Sequence, residues 1–146
     1  MAMKLPDPAL LLVTDRHQAR RPLADIVRVA LSAGCRWVSV REKDLSDDDQ
    51  IALVSTLLPI ARRHGARLTL HGDAALAKAC GSDGVHLPAG GDPASSRALL
   101  GPNKLIGVSL HTVTEAEAID PRVVDYAIAG PAFETPSKPG LSLIHI

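Results

Sequence analysis

Short runs of consecutive apolar residues alternate along this chain with longer stretches in which apolar positions recur every three or four residues. The short runs fall at residues 10–14, 37–40, 67–70, 84–87, 105–110 and 123–129, and each predicts a buried strand. Between the first two, apolar positions 23, 26, 27, 30 and 31 keep helical spacing, and Gly34 predicts the stop. Ser46 is a candidate N-cap, with Asp47, Asp48 and Asp49 in the first turn behind it. That helix should run to about His64, ending on Arg62, Arg63 and His64 before Gly65. Further helices are predicted at 73–80, closed by Gly81, and from Asp92 to near Leu100. A fifth begins at Thr112, where Glu115 three residues on makes a capping-box spacing.

The pattern therefore predicts six strands and five helices in strict alternation. Because the strands are near-continuous apolar runs, a parallel sheet covered by helices is expected, an α/β fold. Both a (β/α)8 TIM barrel and an open doubly wound sheet fit the alternation. The first strand is not followed by GxGxxG, which weakens a dinucleotide-binding version. With 146 residues, 46% of them hydrophobic, the chain is one domain at most. Sixteen basic residues balance sixteen acidic ones, so charge gives no reason to expect nucleic acid or an acidic membrane as partner. The three aromatic residues, Trp37, Tyr126 and Phe133, make no base-stacking surface. Cys35 and Cys80 follow no CxxC pattern and read as small buried thiols of a reducing compartment. The N-terminus lacks a signal-peptide core and no apolar run is long enough to span a bilayer, so a cytoplasmic protein is expected.

The chemistry-bearing residues gather where the predicted strands end. Thr14-Asp15-Arg16, Arg41-Glu42-Lys43, His71-Gly72-Asp73, His86, Ser109 with His111, and Thr135 with Ser137 and Lys138 all fall there. In a barrel these ends would surround one mouth, where such enzymes place their chemistry. Arg41 and Lys43, two apart on an extended segment, can grip one anionic ligand or pair with Glu42 or Asp44. His111 is a candidate general acid or base, its intrinsic pKa lying near neutrality. His86 is expected to pack rather than react. Asp92 reads first as a helix cap and only weakly as a metal ligand. Thr135, Ser137 and Lys138, two hydroxyls and a cation held in a proline-rich loop, suit a phosphate.

Five segments carry a family resemblance: Leu12-Val-Thr-Asp-Arg16, Val40-Arg-Glu-Lys43, Ser82-Asp-Gly-Val-His-Leu87, Gly107-Val-Ser-Leu-His-Thr112 and Gly130-Pro-Ala-Phe-Glu-Thr-Pro-Ser-Lys138. In order and spacing, over about residues 10–140, they resemble the thiamine phosphate synthase/TenI superfamily. The resemblance implies a (β/α)8 barrel acting in thiamine biosynthesis or salvage. One branch couples hydroxymethylpyrimidine diphosphate to thiazole phosphate with Mg2+, releasing pyrophosphate. The other includes a metal-independent tautomerase that moves a proton on thiazole phosphate. By the matching motifs, Arg41, Lys43, Ser109, Thr135 and Lys138 are expected to contact ligand phosphates, and His111 to transfer the proton. The mouth residues His71 and Ser137 join them as candidate substrate contacts.

Three departures favour the TenI branch. His71-Gly72 stands where the synthase typically has Asn-Asp, and a glycine offers Mg2+ no side-chain oxygen. Pro88-Ala-Gly-Gly-Asp92 resembles the TenI pattern after the fourth strand, and Ser39 replaces a frequent glutamine. The expectation is thus a TenI-like, metal-free isomerase on thiazole phosphate. The alternatives are a Mg2+-using synthase, a transferase, and a non-catalytic regulator that binds a phosphate ligand. Residues 141–146 do not continue the family pattern and are expected to be a non-native tail on a partial barrel spanning residues 1–140. A chain of this extent is expected to be inactive and to aggregate through its two edge strands. The full-length protein is expected to be a homo-oligomer, without nucleic-acid or membrane partners.

Overall fold

The computed structural model describes residues 5–136. Six strands and five helices alternate: β1 (Leu11–Val13), α1 (Leu23–Ser32), β2 (Trp37–Val40), α2 (Asp47–Arg63), β3 (Arg67–His71), α3 (Ala74–Cys80), β4 (Gly84–Leu87), α4 (Pro93–Leu100), β5 (Leu105–Leu110), α5 (Val113–Glu117) and β6 (Tyr126–Ala129). The strands form one sheet in sequential order, every neighbouring pair parallel. Each crossover therefore steps one strand in the same direction. Right-handed crossovers of that kind put every helix on one face, and α1, α2, α3 and α4 pack in succession. This excludes the doubly wound alternative, which needs helices on both faces, and leaves an open six-stranded portion of a (β/α) barrel.

Local signals set the helix ends. The Ser46 hydroxyl accepts from Asp49 N at 3.2 Å, Asp73 Oδ1 from Leu76 N at 2.8 Å and Asp92 Oδ1 from Ser95 N at 3.0 Å. Thr112 and Glu115 complete a reciprocal capping box. Gly81 closes α3 in the left-handed region at φ 67°, where a Cβ would be strained. Strand β6 begins at Tyr126 rather than at residue 123. Val123 N and Val124 N both turn back to the Asp120 carbonyl, which takes those residues out of the ladder.

Strand alternation separates two environments. Val38, Val40, Leu68, Leu70, Val85, Leu87, Ile106 and Val108 face the helices and pack with Val27, Leu31, Val54 and Leu57 in the core. Trp37, Ser39, Thr69, His71, His86, Ser109 and Tyr126 face the opposite, concave side. At the sheet's lower edge a motif recurs. Asp83, before β4, accepts from Leu68 N of β3 and from both arms of Arg62 on α2. Asp125, before β6, accepts from Ile106 N of β5 and from Arg97 on α4. Each pair ties a helix to two strands.

Candidate functional site at the strand ends

In a parallel sheet all C-terminal strand ends share one edge, and here that edge is polar. The loops after β1 and β2 are cross-linked. The Arg16 guanidinium forks onto both oxygens of Asp44, with one arm at 2.6 Å. Arg16 N donates to Glu42 Oε1 at 2.6 Å, and Thr14 Oγ1 accepts from Arg41 N at 3.0 Å. His17 Nε2 lies 2.9 Å from Asp44 Oδ2. Hydrogen bonds from Arg16, and after it from His17, hold the Asp44 carboxyl well below the usual carboxylate range. Glu42 is 2% exposed, while Arg41 and Lys43 on either side of it are exposed. Arg16 thus engages both acids that sequence reading offered as partners for Arg41 and Lys43. Both cations are exposed at the strand-end edge.

Beneath this edge the concave face carries a buried polar network. The rings of His71 and His86 stack with centroids 4.2 Å apart. His86 Nε2 is 2.8 Å from Ser109 Oγ, and Nδ1 is 3.1 Å from the Tyr126 hydroxyl. Both hydroxyls can donate or accept, so His86 is satisfied in either tautomer. Tyr126 meets Trp37 edge-on at 4.7 Å, and Trp37 Nε1 donates to Thr69 Oγ1 at 3.3 Å. Tyr126 fits because position 107 is glycine: a Cβ there would sit 2.0 Å from Tyr126 Cζ. Burial pushes the phenol pKa well up, against a lowering hydrogen bond from Thr69 and with help from the Asp125 charge.

His111 follows β5 and is partly buried. Its Nδ1 lies at hydrogen-bond distance from the Gly130 carbonyl. A carbonyl only accepts, so Nδ1 carries the proton and the neutral ring keeps Nε2 as its basic atom. Thr135 is partly buried in an isolated β-bridge past β6. Ser137 and Lys138 lie outside the described residues. Lys43, His71, Asp73 and Asp92 line a common cleft of about 690 Å³ on the helix side of the strand ends. Ser109 lines a separate cavity of about 350 Å³ between α4 and α5, and its hydroxyl is engaged by His86. Neither cavity brings in Arg41, His111 or Thr135.

Strand β3 ends in an imidazole and a glycine, and Asp73 and Asp92 each give one oxygen to a helix cap. Among the described residues no three His, Cys, Asp or Glu side chains come close enough to hold a metal ion. The two cysteines are buried and free, and burial pushes the Cys80 thiol up, away from reactivity. No helix among the described residues is long and apolar enough to cross a membrane.

Sequence reading missed the roles of Arg16, Asp44, Thr69 and Tyr126. Acids and a base at the ends of adjacent parallel strands were a usable signal for the first two. Thr69, His71 and His86 at alternate strand positions were one for the concave-face network, as was Gly107 opposite Tyr126.

The sheet order, the one-sided helices and the polar strand-end edge together define a protein of (β/α)-barrel class. The model of the family described as thiamine monophosphate synthase matches residues 10–146, and the chain belongs to that family. It is 42% identical over 136 residues to the thiamine-phosphate synthase of Solidesulfovibrio magneticus, covering 90% of this chain and 64% of that one. It is 36% identical to the thiamine-phosphate synthase of Streptomyces avermitilis over 139 residues, 94% of this chain and 65% of the relative. Among solved structures, the thiamine phosphate pyrophosphorylase from Pyrococcus furiosus superposes with a TM-score of 0.74 at 28% identity, covering 86% of this chain and 61% of that one. The chain thus spans a little under two thirds of the length of these relatives.

Proposed function

We propose that the protein to which this chain belongs is a thiamine-phosphate synthase. In that reaction the thiazole nitrogen attacks the methylene carbon of hydroxymethylpyrimidine diphosphate. The carbon–oxygen bond breaks and its electron pair leaves with pyrophosphate. The observation that carries the reading is the match, across nine tenths of the chain, to relatives bearing that name. The exposed pair Arg41 and Lys43 supports it, since a departing pyrophosphate needs cations beside it. The comparisons favour this over the tautomerase expected from sequence.

Two features keep the tautomerase as a second reading. His111 holds Nε2 as a base, and the end of β3 supplies no carboxylate for a metal. A proton shuttle on thiazole phosphate needs only the former. Incubating the full-length protein with both substrates, with and without Mg2+, separates the two. Thiamine phosphate formed at a sustained rate is the expected result. Isomerised thiazole phosphate without coupling would replace this reading with the second. Ligand-dependent stabilisation with neither product would leave a phosphate-binding regulator.

A further inference from the structure

The register of the sheet stacks the concave face in layers. His71, His86, Gly107 and Tyr126 are paired in one row across β3, β4, β5 and β6. Ser109 follows Gly107 on the same face of β5, one layer nearer the C-terminal edge. His86 is 2% exposed, whereas Ser109 is only partly buried. Among the described residues the Ser109 hydroxyl is hydrogen-bonded to His86 Nε2, 2.8 Å away in the layer below. The imidazole occupies the side toward the sheet's lower edge, which leaves the strand-end side of the hydroxyl for a ligand.

The groups behind the ring set which atom donates across that contact. The Trp37 indole N–H only donates, so Thr69 Oγ1 accepts it at 3.3 Å. The Thr69 hydroxyl in turn hydrogen-bonds the Tyr126 phenol oxygen. Its other acceptor, the Val38 carbonyl, is 3.5 Å away, beyond the usual O–H···O range. With its oxygen engaged, the phenol turns its own proton to His86 Nδ1, 3.1 Å away. The phenol is also the more acidic of the two hydroxyls that flank the ring, and so the better donor to it. A neutral imidazole that accepts at Nδ1 carries its proton on Nε2. His86 Nε2 therefore donates to Ser109 Oγ, and the Ser109 proton is free to turn toward the strand ends. In the opposite tautomer the hydroxyl would spend that proton on Nε2.

We propose that His86 is a positioning residue, which holds the Ser109 hydroxyl as a hydrogen-bond donor to a diphosphate oxygen of the substrate. The substrate rests on the synthase reading; the tautomer does not. Nitrogen NMR of the unliganded full-length protein should show the His86 ring protonated at Nε2 and bare at Nδ1. Calorimetry with inorganic pyrophosphate supplies the second readout. Binding should weaken about tenfold in Ser109→Ala and by as much in His86→Leu, as for one hydrogen bond to a charged group. The double variant should bind no more weakly than either single one, because both remove the same contact. His86→Gln, whose amide N–H can stand in for Nε2–H, should restore most of the affinity. Additive losses, or a His86→Gln variant as weak as His86→Leu, would mean that His86 only packs and would overturn the proposal. So would a ring protonated at Nδ1, or a wild-type protein that binds no pyrophosphate. If His86→Leu does not fold, the wild-type tautomer and Ser109→Ala decide the matter. The expected binding pattern without thiamine phosphate formation would overturn the synthase reading alone and leave the positioning role standing.

Discussion

Removing Arg97 should cost far more stability than removing Arg62, although the two occupy the same position in a repeated motif. Both tie an aspartate before one strand to an N–H of the preceding strand. They differ in burial. The Arg62 side chain is 51% exposed and that of Asp83 18%, against 20% for Arg97 and 3% for Asp125. Arg97 also donates to the carbonyls of Gly101, Lys104 and Val123. Arg97→Ala leaves a buried carboxylate without its cation, a loss typically of about 3–5 kcal/mol. Arg62→Ala breaks a pair whose cation is half exposed, for which about 1 kcal/mol or less is expected. At about 4 °C per kcal/mol for a domain of this size, the melting temperatures should fall by about 12–20 °C and by no more than about 4 °C. Thermal unfolding followed by Trp37 fluorescence reads both. Adding Asp125→Asn to Arg97→Ala should recover part of the loss, because the charge goes while an oxygen for Ile106 N remains. Equal losses in the two single variants, or no recovery in the double one, would refute the reasoning.

Tyr126 is the sequence's one tyrosine, so its phenolate absorbance is directly readable. Its folded pKa lies above the ordinary value of 10.0. Below pH 10 folded and unfolded chains both hold the proton; above it the unfolded chain loses it first. Stability should therefore fall with rising pH from there, by at most about 1.4 kcal/mol per unit, and phenolate should appear only with unfolding. Tyr126→Phe should remove that part of the alkaline decline. Gly107→Ala should cost about 1–3 kcal/mol by driving Tyr126 from its place, seen as a changed Trp37 emission. Asp92→Ala should cost about 1 kcal/mol in denaturant unfolding, and Asp92→Ser, which can still cap α4, should restore most of it.

The alternation of short apolar runs with helical spacing placed every element, because buried parallel strands and amphipathic helices write different periods. Capping chemistry at Ser46, Asp73, Asp92 and Thr112 fixed the helix starts within a residue. The start of β6 was not legible, since Val123 and Val124 look like strand residues and only the Asp120 turn takes them out. Choosing barrel over doubly wound sheet needed the strand order, which periodicity does not carry. At the site, strand-end positions were legible but partners were not. That the Ser109 hydroxyl meets His86 follows from position 109 facing the concave side, which strand-end position alone does not reveal. Glu42 looked like a solvated partner of its neighbours, but alternation buries it against Arg16.

If the strand-end cations serve a pyrophosphate leaving group, pyrophosphate release by the full-length protein depends on them. In the wild-type protein, release should match thiamine phosphate formation one for one. In Arg41→Gln/Lys43→Gln it should fall by about a hundredfold or more, as expected for two charge-assisted contacts of about 1.5–3 kcal/mol each, with Trp37 fluorescence unchanged. Wild-type release from a folded double variant would contradict the account.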